Sequence, residues 1–113
     1  MSVPVIFSND TKTVLTITPK YDQNSASPGS LVSLTGATSA AVVFQNTATG
    51  AFFTGTGTAT ITTTINYKPS VADLNSPNAP APGGMYALYV TVTYSDGSTL
   101  PLQPAQIQIV TAP

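Results

Sequence analysis

Four aspartates, Asp10, Asp22, Asp73 and Asp96, and three lysines, Lys12, Lys20 and Lys68, are the charged side chains of this 113-residue chain, which contains no histidine, cysteine, arginine or glutamate. That inventory bounds the chemistry. Without histidine or cysteine there is no histidine-dependent triad, no thiolate nucleophile and no nitrogen- or sulfur-ligated zinc. A carboxylate pair or a hard-cation site would need Asp22 and Asp73 adjacent in a pocket. Neither stands in a run with ligand spacing, and an aspartate in a loop ordinarily forms a turn. The sequence therefore predicts no catalytic residue, no cofactor and no metal. Three scattered lysines cannot supply the basic stripe that nucleic acid requires, and no glycine-rich turn enters a helix that could cradle phosphate. Five tyrosines, Tyr21, Tyr67, Tyr86, Tyr89 and Tyr94, remain as polar aromatics. They leave open a glycan-binding alternative in which Tyr89 and the 68–84 loop form an aromatic-floored groove.

Only 6% of residues are charged, against about one-quarter in a typical domain. The surface must then be threonine, serine, asparagine, glutamine and backbone. With a net charge of -1, little repulsion opposes association, which suits a subunit packed against neighbours. The alternative is a threonine-rich β protein that tolerates this composition. The first ten residues lack a basic start followed by a long apolar run, so no signal peptide is expected, and no segment reads as a membrane span. The expectation is a chain made in the cytosol and soluble there until it is used, with no nucleic-acid or membrane partner.

The elements that would position these residues are strands. Tyr86, Leu88, Val90, Val92 and Tyr94 alternate with small or polar residues, the period of two of a half-buried strand. Ser95-Asp96-Gly97-Ser98 follows, and Asp-Gly suits a type I′ turn. A two-residue loop there places Leu88 opposite Ala105 and Tyr86 opposite Ile107, with Ile107 and Ile109 buried and Gln106 and Gln108 turned outward. Pro101 and Pro104 cannot donate ladder bonds, which predicts an edge strand or a bulge. Earlier strands are expected at Val3–Phe7, Thr13–Thr18, Leu31–Thr35 and Ala41–Gln45. Gly57 to Tyr67 alternates again, with Ala59, Ile61, Thr63, Ile65 and Tyr67 on one face and a threonine ladder on the other. Phe52 and Phe53, being adjacent, face opposite ways. In the proline-rich break from Lys68 to Gly84, Ser70 caps at most one helical turn, and a loop of this length is a candidate for binding. About seven short strands in a single domain, 1–113, predict an all-β fold, an immunoglobulin-like antiparallel β-sandwich, with a small barrel as the alternative.

Several segments in order carry a resemblance. They are Leu34-Thr-Gly-Ala-Thr38, Val42-Val43-Phe44, Ala59-Thr-Ile61, Ile65-Asn-Tyr67, Ala72-Asp73, Gly84-Met85-Tyr86, Val90 to Gly97, Leu100-Pro101 and Ile107-Gln-Ile109. Together they resemble the immunoglobulin-like domain found at the N-terminus of phage baseplate upper proteins and as small stand-alone proteins in tailed-phage genomes. Ser39-Ala40-Ala41 reads as an insertion relative to that pattern, and Asn75 to Pro82 expands the loop before Gly84. The resemblance implies a non-enzymatic virion structural protein that docks on other virion proteins in the tail, baseplate or fibre-attachment region. It carries no catalytic residues, and capsid decoration is the alternative placement. The candidate interface comprises Tyr89, the edge residues Val3 and Val5, Pro101 and Pro104 on the return strand, and Asn75, Pro77 and Pro80 in the loop. Partners are expected to be other virion proteins and copies of this chain.

Overall fold

The structure, a computed structural model, describes residues 5–7, 10, 12–74 and 84–110, without the side chains of Val71 and Ala72. Val3, Asn75, Pro77 and Pro80 lie outside the described residues. Nine strands are present among those described: β1 (Val5–Phe7), β2 (Leu15–Ile17), β3 (Ala37–Asn46), β4 (Phe52–Thr54), β5 (Thr58–Ile61), β6 (Ile65–Lys68), β7 (Met85–Tyr94), β8 (Thr99–Pro101) and β9 (Ala105–Val110). One helical turn, α1 (Val71–Leu74), follows β6. The strands form two sheets. The larger has six strands in the order β1-β9-β7-β3-β4 with β8 also on β7, and the smaller has the order β2-β6-β5. The fold is thus an all-β two-sheet sandwich, and not a closed barrel.

The core is the inner face of both sheets, built from the period-two positions. Tyr86, Leu88, Val90 and Val92 of β7 face Leu15 and Ile17 of β2 and Ile65 and Tyr67 of β6. Phe44 is fully buried, stacked on Phe53 at 4.8 Å and edge-on to Tyr67 at 5.9 Å. Such aromatic contacts add ~0.5–1.5 kcal/mol beyond area burial.

The β7–β9 register follows the alternation: Leu88 is opposite Ala105 and Tyr86 opposite Ile107. The turn does not. Only Gly97 has positive φ there, at 86°. The Tyr94 carbonyl accepts from Gly97 N–H at 2.9 Å, and Tyr94 N–H donates to the Ser98 carbonyl at 2.8 Å. This is a three-residue loop, a turn followed by one left-handed glycine, in place of type I′. It shifts β8 by one residue, so that Thr93 pairs with Thr99 and Thr91 with Pro101. A bulge restores the outer register: Leu102 N–H still bonds the Val90 carbonyl, Gln103 N–H turns to the Lys20 carbonyl, and Pro104 has no N–H to offer.

Three further expectations change. Leu31–Thr35 keeps its alternation, with Val32 buried and Leu31 exposed, yet makes only a single bridge, Lys20 to Leu31. Gly57–Tyr67 is a hairpin, with β5 and β6 joined at 62–64 and Ile61 opposite Ile65. A three-residue loop of threonines preserves parity, so the alternation runs through the turn unbroken. The sandwich is also not purely antiparallel, because β1 and β9 pair in parallel. They lie near opposite ends of the chain, so no hairpin forces them antiparallel. Ser39-Ala40-Ala41 sits within β3, whose pairing with β7 slips between Ala37 and Ser39.

Candidate functional site: an uncharged sheet face

No charged residue occurs on β1, β3, β4, β7, β8 or β9; Lys68 of β6 is the one charged residue on any described strand. The outward face of the large sheet therefore carries only neutral side chains. Across the sheet, Val5 lies beside Gln108 and Met85. In the next row Gln106 lies beside Ala87, Gln45 and Phe52, and in the row after that Tyr89 lies beside Val43 and Thr54. Phe52 is 62% exposed, Val5 54%, Phe7 48% and Tyr89 36%. Tyr89 donates to Gln45 Oε1 at 2.8 Å and its ring leans on Phe52 at 5.8 Å, so one aromatic pair is fixed near the middle of the face. The small sheet is different outside. Thr16, Thr58, Thr60 and Lys68 are exposed, and Asn66 Nδ2 ties Thr62 Oγ1 at 3.1 Å, a surface content with water.

The expected interface residues are partly brought together. Tyr89 and Val5 share the outer face, and β1 is paired on one side only among the described residues. Pro101 and Pro104 are exposed, but the 100–105 edge is not open as expected: Tyr21 bridges to Leu102, and Gln103 bonds Lys20. Tyr89 is bonded to Gln45 and leans on Phe52, whereas α1 is tied through Asp73 to Thr56 and Tyr67. Phe52 is the face residue that the sequence left unassigned. Adjacency with Phe53 required one ring outward, and only the β3–β4 register, Gln45 opposite Phe52, decides which.

Among the described residues, the cavities beside Tyr94, beside Thr35 and beside Leu15 are lined by neither Asp22 nor Asp73. The Asp22 carbonyl accepts from Ser25 within its loop, whereas Asp73 is only 1% exposed. The Asp73 carboxylate accepts from the Tyr67 hydroxyl, from Thr56 N–H at 3.0 Å and from Ser70 N–H at 3.1 Å, while Ser70 Oγ accepts from Asp73 N–H at 3.3 Å. Ser70 and Asp73 form a reciprocal cap for α1. Among the described residues no group of three or more His, Cys, Asp or Glu could hold a metal. A shallow groove of about 420 Å³ opens beside the β7–β8 turn, between Tyr21, Gly36, Tyr94 and Asp96. Hydrogen bonds from Ser98 hold the Asp96 carboxyl below the usual range.

Burial, and then the bond to Asp73, push the Tyr67 hydroxyl well above the ordinary tyrosine value, against the opposing bond from Gly57 N–H. In the unfolded chain a tyrosine ionises near ~10. With the folded value raised, the stability Tyr67 contributes is complete below that point and is lost as pH rises through the folded value. The urea midpoint should be level to about pH 9 and fall above about pH 10. Tyr67→Phe should be less stable at neutral pH and show a shallower alkaline fall, as followed by circular dichroism.

Comparison with protein-family models, with characterised proteins and with solved structures finds no match for this chain. The class that fold and surface define is an all-β sandwich with one charge-free sheet face and, among the described residues, no cluster of metal-ligating side chains.

Proposed function

We propose that this protein is a non-enzymatic structural subunit of a bacteriophage virion, docking on copies of itself and on other virion proteins in the tail, baseplate or fibre-attachment region. The observation that carries the docking part is the six-stranded sheet without a charged residue, with Phe52, Tyr89, Val5 and Phe7 exposed on it. Free monomers protect sheet edges and faces with lysines, prolines and bulges, and β1 and β4 carry none of these in their described residues. Interface centres are depleted in charge and rich in aromatics. The virion part rests on the resemblance, whose segments fall in chain order on elements of the sandwich. Val42-Val43-Phe44 is on β3, Ala59-Thr-Ile61 on β5, Ile65-Asn-Tyr67 on β6, Gly84-Met85-Tyr86 at the start of β7 and Ile107-Gln-Ile109 on β9. The orders β9-β7-β3-β4 and β2-β6-β5 also parallel the G-F-C-C′ and B-E-D orders of immunoglobulin-type sandwiches.

Quantitative mass spectrometry of purified virions from the phage that carries the gene tests this. A copy number that is a small multiple of the portal is the expected result. A copy number near that of the major capsid protein would place the chain on the head as a decoration protein. Absence from the particle would sink both placements.

A further inference from the structure

We infer that the occupant of the uncharged sheet face is a second copy of this chain, seated face to face about a two-fold axis. This rests on the reading of that face as a docking surface and adds the identity of what covers it.

The argument starts from charge. A typical domain is about one-quarter charged, with those residues mostly on its surface, and burying such a surface on this sheet would strand ions with no opposite charge to meet. The occupant must therefore offer a charge-free patch of similar size, and this chain carries one. In a two-fold interface each residue class meets itself or its neighbour on the same patch. A lysine or aspartate near the axis would then meet a like charge, whereas every polar side chain on this face avoids that problem. Gln45, Gln106 and Thr54 each hold a donor and an acceptor, as does the Tyr89 hydroxyl. Such groups can pair with their own copies, which single-function ions cannot. The face is self-complementary in hydrogen bonding as well as in charge.

Area agrees. The six strands of this sheet hold 35 residues, which at ~3.3 Å per residue and ~4.8 Å between strands span on the order of 550 Å² of flat sheet. Side chains standing on that sheet raise its accessible area toward the ~800 Å² per partner of a standard stable interface. Phe52 and Tyr89, already locked to each other and to Gln45, supply the rigid aromatic centre where binding energy concentrates.

The test is sedimentation velocity and equilibrium on the full chain over a wide concentration range. The expected species is a reversible dimer of twice the 11.5 kDa chain mass. Phe52→Lys puts one lysine per copy on the face at a mostly exposed position, so folding, checked by circular dichroism, should be intact. It should raise the dissociation constant on the order of a hundredfold. Thr60→Lys, the same charge on the exposed face of the small sheet, should leave the dimer unchanged. A chain that stays monomeric at every concentration overturns the inference. So does a dimer indifferent to Phe52→Lys, or one that Thr60→Lys dissociates equally. Open-ended oligomers would mean pairing through strand edges and would also overturn it. A monomer that is nonetheless found in virions would remove the second copy as occupant and leave docking on other virion proteins standing.

Discussion

Replacing Asp73 with alanine should lower unfolding stability by ~3–5 kcal/mol, because the loss strands several donors at once and each buried unpaired donor costs about 1–3 kcal/mol. The carboxylate is 1% exposed and accepts from the Tyr67 hydroxyl, Thr56 N–H and Ser70 N–H. These donors belong to β6, to the link between β4 and β5, and to the cap of α1. One side chain therefore joins three separate pieces of the small-sheet side of the sandwich. A domain of this size has only ~5–15 kcal/mol in total, so the variant should melt roughly 10–25 °C lower. Asp73→Asn keeps one acceptor oxygen but turns an NH₂ group toward a donor, and should fall between wild type and alanine. Thermal and urea melts at neutral pH check both. An Asp73→Ala protein within ~1 kcal/mol of wild type, by linear extrapolation of the urea melts, would mean that water replaces the carboxylate and that the node does not hold the sheet.

The local half of that node was legible in the sequence. Ser70 three residues before Asp73, ahead of prolines, spells a capped single turn, and α1 is that turn. The distant half was not. Thr56 N–H meets Asp73 across 17 residues of sequence, and nothing in the pattern around Thr56 marks it as a partner. The same division holds for the fold. Parity along a strand is local, so Leu88 opposite Ala105 and the buried side of β7 follow from residue types alone. Where parity is conserved across a turn, as through Thr62 to Thr64, local pattern cannot see the turn. Loop length at Asp96-Gly97 escaped for a related reason: the dipeptide suits both a two-residue and a three-residue hairpin, and the bulge at Gln103-Pro104 absorbs the difference before Ala105.

The candidate surface was legible as an absence before it was legible as a place. A chain with three lysines and four aspartates must have large neutral areas, and that much is composition. What composition cannot show is segregation. The charges lie in loops, in α1 and on β6, which leaves all six strands of the large sheet with none. The alternation assigned Tyr89 to the outer side of β7, and Val5 came from an expected edge strand. Joining them into one face needed the β1–β9 pairing, which is parallel and links residues more than 100 positions apart in the chain.

Gly84→Ala should destabilise by ~3 kcal/mol, more than its methyl group alone would suggest, because a left-handed conformation costs an L-residue ~1–2 kcal/mol and overpacking another ~1–3. Gly84 has φ of 72°, and an added Cβ would stand 2.5 Å from the Ile109 carbonyl oxygen and 3.3 Å from Gln108 Cγ. It immediately precedes β7, so any shift that relieves the clash moves Met85 and Tyr86 against β9, in the register that seats Tyr86 in the core. Gly97 supplies the internal control. Its φ is 86°, yet an added Cβ would meet nothing within 4 Å. Gly97→Ala should therefore show the conformational cost alone, ~1–2 kcal/mol, and the difference between the two variants isolates the close approach to β9. Urea unfolding of the pair at one pH measures it. Equal losses would mean that the strand ends can move apart at no cost, and that Gly84 is held by its backbone angle and not by the packing of β7 on β9.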